Sequence, residues 1–197
     1  MTKSPKLPKS PKSLQGHLLL DSGKLRGSCF HRSVVLVCHH NAEGAFGLIL
    51  NRPSDNKVGD VIEADLPALL HDEPLFGGGP VQPAALSYLH SGTSLSAGTV
   101  VGNVLSDLSV GHDLEELISI SRNDVPGRRL RVFAGYAGWG PGQLDEEMRR
   151  EAWLTERATL DLVFHSAPQG LWGHLLNARG DWQSRLLAVS PDDLSWN

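Results

Sequence analysis

Gly135-Tyr136-Ala137-Gly138-Trp139-Gly140-Pro141-Gly142-Gln143-Leu144 packs four glycines and a proline around two large aromatics. Glycine supplies backbone conformations closed to other residues, and proline stops a strand or opens a helix. The stretch therefore predicts a junction. Arg129 to Ala134 precedes it, with Leu130, Val132 and Ala134 alternating as in a strand. Leu144, Met148, Ala152 and Trp153 follow it at helical spacing, behind Asp145, Glu146 and Glu147 in a first turn. The expectation is a strand, a glycine-rich turn over 135–143, and a helix.

The same pattern reading extends outward. Ser33-Val34-Val35-Leu36-Val37-Cys38 is a continuous apolar run, expected as a strand buried on both faces. His39 to Gly44 carries turn chemistry, and Phe46 to Leu50 is apolar again, so the two runs predict an antiparallel hairpin. Leu14 to Leu20 reads as a strand and Asp21 to Gly27 as a loop. Val58, Val61, Ile62 and Leu66 have helical spacing, with Ser54 or Asn56 as a cap. Ala85–His90 and Thr99–Leu105 read as strands, Ser109–Ser121 as a helix and Leu160–Phe164 as a strand. Leu171, Trp172, Leu175 and Leu176 predict a short helix ending at Gly180, with 181–197 loosely attached.

Composition sets bounds on function. A chain of 197 residues, 40% hydrophobic and 20% charged, suits one soluble domain. No window approaches the roughly 18 uncharged apolar residues of a membrane helix, and the N-terminus has no apolar signal core, so the expected location is the cytosol. Residues 1–13 form a basic Lys/Pro/Ser arm with Lys3, Lys6, Lys9 and Lys12, expected to be disordered. Residues 14–197 are expected to form a single domain. They hold 14 of the 18 basic side chains against all 22 acids, a net charge of −8. An acidic body opposes broad nucleic-acid binding, which leaves any DNA contact to the arm.

Four blocks carry a family resemblance: SVVLVCHHNAEGAFGLILNRP at 33–53, FGGGPV at 76–81, GYAGWGPGQLDEEM at 135–148 and EAWL at 151–154. In this order and spacing they resemble the YqgE/AlgH family of bacterial proteins. The resemblance implies an α+β fold, a mixed bifurcated sheet curled into a barrel-like core and surrounded by helices. It implies no defined activity: members are described as uncharacterised or as regulators of transcription. The chain departs from the family pattern at Asp21-Ser22-Gly23, at His39, and in its N-terminal arm.

Candidate chemistry is sparse. Cys29, His31, Cys38 and His40 have metal-ligating side chains, but zinc pairs come more often from turns, and Cys38 ends a buried run, so no metal is expected. Gly77-Gly78-Gly79-Pro80 could cradle an anion, yet lacks the Lys-Ser/Thr of a phosphate loop, and a close backbone approach is the competing reading. His90 beside Ser91 points to the opposite strand face and has no nucleophile elbow around it. The ligand-binding candidates are His40, Asn51, Arg52, Gly78, Gly79, Tyr136, Trp139 and Gln143. Aromatics on a glycine turn before a helix, with Asn51 and Arg52 as polar ends, would build a pocket. No catalytic residue or cofactor is expected. The sequence favours a non-enzymatic binding or regulatory protein with a small-molecule or protein partner. An enzyme using a cleft near Asn51, Arg52 and Trp139 is the alternative, and DNA contact through the arm a further one.

Overall fold

The computed structural model describes residues 13–92, 102–123 and 125–190. Three strands open the chain: β1 (His17–Asp21), β2 (Val34–Asn41) and β3 (Gly44–Ile49). The expected β2–β3 hairpin is present, but β2 runs on through His39 and His40 to Asn41, so the turn shrinks to Ala42-Glu43. A register shift between Val37 and His39 accommodates Cys38. Strand β4 (Pro53–Lys57) and helices α1 (Val58–Val61) and α2 (Ala68–His71) follow. The helix expected through Leu66 lasts one turn, and Ser54 is not its cap: its Oγ donates to the Leu75 carbonyl at 2.8 Å.

Strands β5 (Pro74–Gly77), β6 (Val81–Ser91), β7 (Gly102–Leu105) and β8 (Leu108–Gly111) lead to α3 (Leu114–Arg122). Ser109–Gly111 is strand rather than helix, because Asp113 caps α3 by accepting from Glu116 N at 2.8 Å. Strand β9 (Leu130–Trp139), α4 (Gln143–Arg149), β10 (Trp153–Arg157), α5 (Leu160–Val163), a 3₁₀ turn at Pro168–Gly170, α6 (Leu171–Arg179) and α7 (Trp182–Val189) complete the described chain.

Three expectations fail toward the C-terminus. Trp153 lies on β10, not on the preceding helix; Glu151, at φ +54°, ends that helix. Residues 160–163 are helical because Thr159 caps them, its side chain accepting from Leu162 N. Residues 182–189 are a helix packed on α6, with Asp181 as its cap. Residues 1–12, 93–101 and 191–197 lie outside the described residues, so most of the basic arm does too.

The sheet is mixed and forked. Its main path runs β10-β1-β2-β3-β9-β6-β8-β7, and β5 pairs parallel to β9 with β4 on its far side. One edge of β9 holds both branches. Ala137–Trp139 pair with β3, whereas Val132–Ala134 pair with β5. The sheet curls without closing among the described residues, as β10 and β7 remain its two ends. Inside the curl, Leu18, Leu20, Leu36, Leu48 and Phe133 pack with α5 and α6. Outside it, Leu19, Val35, Val37 and Trp139 pack under α4, while Tyr88 and Val132 pack under α1–α3. Burial on both faces explains why β2 is apolar at consecutive positions.

Candidate functional site

The glycine-rich stretch is mostly strand. β9 continues to Trp139 past an irregularity at Gly135, whose φ is +71°, and only Gly140–Gly142 turn before α4. Alternation then sends Tyr136 and Trp139 to opposite faces of the sheet. Tyr136 packs in the curl, its ring 5.2 Å from that of Phe46. Trp139 stacks 6.3 Å from Phe30 on the outer face. The two aromatics do not share a pocket.

Around α4 the polar groups are already matched. Glu147 Oε2 accepts from Trp139 Nε1 at 2.9 Å and from Trp153 Nε1 at 2.8 Å. Gln143 donates to Glu147 Oε1 at 3.2 Å and accepts from Gly140 N at 3.1 Å. His40 Nδ1 accepts the Leu14 N–H at 3.1 Å, and its Nε2 lies 3.9 Å from Asp145. Ser13 Oγ donates to the His40 carbonyl, so this corner also anchors the root of the basic arm. His40, Trp139 and Gln143 are gathered by α4, but as a closed network.

Gly78 and Gly79 sit in the fork of the sheet. Gly78 N donates to the Ala134 carbonyl at 2.9 Å, and its carbonyl accepts from Ile49 N at 2.9 Å. A Cβ on Gly78 would lie 2.2 Å from the Gly135 carbonyl oxygen, and one on Gly79 2.2 Å from the Tyr136 carbonyl carbon. The close backbone approach is their physical requirement, and the Gly78 N–H is spent on it rather than aimed at an anion. Asn51 is buried too. Its Oδ1 accepts from Val34 N and its Nδ2 donates to the Arg32 carbonyl, both at 2.9 Å. It pins the start of β2.

Arg52 behaves differently. Its guanidinium reaches the loop before β2 and donates to the His31 carbonyl. Among the described residues no carboxylate forms an ion pair with it. Burial lowers its pKa, and the nearby Cys29 sulfur opposes that shift. Arg52 opens onto a cleft of about 450 Å³ with His31, Arg32, Gln169, Gly170, Trp172, Gly173 and Ala188. The first turn of α6 forms one wall, bringing the positive end of that helix to the cleft. Arg32 lies 5.0 Å over the Trp172 ring and donates to the Ser190 carbonyl.

Asp21 builds this wall from behind, and sequence reasoning missed it. It is fully buried: Oδ1 accepts from Gly23 N and Leu25 N, and Oδ2 from Arg32 N at 2.8 Å. Its carbonyl accepts from Trp172 Nε1 at 3.0 Å. The Arg32 backbone is thereby held in the left-handed region at φ +53°, unusual for a non-glycine residue. Arg32, Gln169 and Trp172 were also missed, since they join Arg52 only through the tertiary fold. An acid ending an apolar strand just before Ser-Gly was the one available signal for Asp21.

The cysteine–histidine set is divided. Cys38 packs in the inner core, where burial pushes its thiol far above the ordinary range, while Cys29 is exposed. Among the described residues no three His, Cys, Asp or Glu side chains are arranged to hold a metal ion. None of their helices is long and apolar enough to cross a membrane.

Residues 18–182 match the family model described as AlgH-like. The chain belongs to the AlgH-like family. A UPF0301 protein of Chlorobium limicola is 35% identical over 180 residues, covering 90% of this chain and 92% of the relative. A UPF0301 protein of Methylococcus capsulatus is 38% identical over 163 residues, covering 81% and 85%. The solution structure of the AlgH protein from Pseudomonas aeruginosa superposes with a TM-score of 0.72 at 28% identity, covering 97% of this chain and 98% of that one. A crystal structure from Corynebacterium diphtheriae, at 22% identity and a TM-score of 0.70, shares the fold over 93% of this chain and 95% of that one. The Pseudomonas structure supports the α+β class and the sheet that does not close, and none of the relatives' names states an activity.

Proposed function

We propose that this AlgH-like chain is a non-enzymatic binding protein that takes a small anionic ligand in the Arg52 cleft. The observation that carries the reading is the Arg52 guanidinium, unmatched by a carboxylate among the described residues and facing a cleft of about 450 Å³. A planar guanidinium suits a carboxylate or phosphate group, and the start of α6 adds favourable potential. The volume lies within the usual range for small-molecule sites. A regulatory role would follow if ligand occupancy altered the loop 22–32, whose backbone Asp21 ties to the cleft wall.

Thermal-shift measurements with glycerol phosphate and malonate, against glycerol as the neutral control, test the reading. Both anions should raise the melting temperature of the full chain and glycerol should not. R52Q should abolish the rise, and R52K should keep part of it because charge remains while the planar fork is lost. An equal rise in R52Q would place the ligand elsewhere. Chemical turnover of a bound anion, followed by NMR, would replace the binding reading with an enzymatic one.

A further inference from the structure

A second cleft, of about 350 Å³, opens where β5 and β9 meet α5. Arg129 on its wall is already paired with Asp161 at 2.7 Å, which leaves two opposite charges, Arg131 and Glu73, that do not touch. Arg131, on β9, is only 7% exposed. Its Nη1 donates to the Leu50 carbonyl at 3.3 Å and the Val163 carbonyl at 2.7 Å, and its Nη2 to the His165 carbonyl at 3.2 Å. A guanidinium has five N–H donors. The Nε donor and one Nη2 donor therefore have no acceptor among the described residues. The Phe76 ring lies 4.4 Å from Arg131 Cζ and fixes the plane of the group. Glu73, between α2 and β5, faces the same cleft. Its carboxylate makes no hydrogen bond or ion pair among the described residues, although Arg131 is near enough for each charge to act on the other. Phe76, Leu130 and Phe164 supply apolar wall to the same cleft.

A structural ion pair would close to contact, because separated charges in a partly buried site keep their desolvation cost without the Coulomb gain. Here both charges line one cavity and make no ion pair with each other. A simple anion in that cavity would meet Glu73, and a simple cation would meet Arg131. A molecule carrying both charges satisfies each wall. We infer that this cleft binds a free α-amino acid with an apolar side chain, its carboxylate toward Arg131, its ammonium toward Glu73 and its side chain against Phe76 and Phe164. The cavity volume is near the lower end for ligand sites, as so small a molecule requires. Burial pushes the Glu73 carboxyl up while the Arg131 charge opposes it, and an ammonium group beside Glu73 would favour the ionised form further.

The test is a titration of the isotopically labelled full chain, followed by amide chemical shifts. L-phenylalanine, N-acetyl-L-phenylalanine and L-phenylalaninamide are the probes. Phenylalanine should give saturable shifts at Glu73, Arg131 and His165, and each capped derivative should bind at least about tenfold more weakly for its lost charge. E73Q should erase the preference for the free amine over the N-acetyl form. R52Q should leave the phenylalanine-induced shifts at Glu73, Arg131 and His165 unchanged, which separates this cleft from the Arg52 cleft. The inference is overturned by the absence of saturable shifts up to about 10 mM, by equal binding of all three probes, or by a preference that survives in E73Q. If E73Q proves unfolded, the comparison of probes on the unaltered chain decides alone.

Discussion

The α4 corner and the Arg52 cleft are joined by one loop, whose Phe30 packs on Trp139 and Trp153 and whose His31 and Arg32 line the cleft, yet they use their polar groups in opposite ways. At the corner, Trp139, Trp153 and Gln143 all converge on Glu147, so polar atoms are matched within the protein. At the cleft, the guanidinium of Arg52 meets backbone carbonyls and open volume. The corner holds the densest motif in the sequence, yet its density serves packing. The cleft is assembled from isolated residues of four segments. A matched network stabilises; an incompletely matched charge is a place for something else to bind.

Four substitutions break or sharpen this contrast. The largest effect is expected from Gly78→Ala at the fork. Its Cβ would meet backbone rather than a movable side chain, so the loss should be about 4 kcal/mol or more in denaturant unfolding. Glu147→Ala comes next. It strips a charged acceptor from two indole N–H groups, and a loss of about 3 kcal/mol is expected from the same measurement. Asn51→Ala should cost about 2 kcal/mol, because Val34 N and the Arg32 carbonyl lose buried partners.

The smallest effect is the most specific. Glu73→Gln should raise stability by about 0.5 kcal/mol at neutral pH, the figure being discounted for partial exposure. A carboxyl whose pKa is raised in the folded state binds protons more readily there than when unfolded. The native chain therefore gains stability relative to E73Q as pH falls through that raised pKa toward the ordinary glutamate range. Melting curves of both proteins between neutral and acid pH should converge.

Much of the fold was legible because it rests on local signals. The apolar run at 33–38 announces a strand buried on both faces, and the spacing to Phe46–Leu50 announces its hairpin. Failures came where local signals conflicted. Helical spacing from Leu144 continued by coincidence into Trp153, which the β1 pairing claims for β10. Thr159 capped a segment, Leu160–Phe164, that read as a strand. The candidate site was less legible. Arg52 was named, but its cleft depends on Arg32, Gln169 and Trp172, which only folding brings beside it. Tyr136 and Trp139 were expected together until β9 proved continuous through Gly138, so that alternation parts them.

The central claim is that binding belongs to the Arg52 cleft and not to the glycine-rich corner. Calorimetric titration of glycerol phosphate into the unaltered chain, R52Q and Gln143→Ala tests it most directly. R52Q is expected to weaken binding at least about tenfold, and Gln143→Ala to leave it unchanged. Binding that survives in R52Q and disappears in Gln143→Ala would return the site to the corner and contradict the claim.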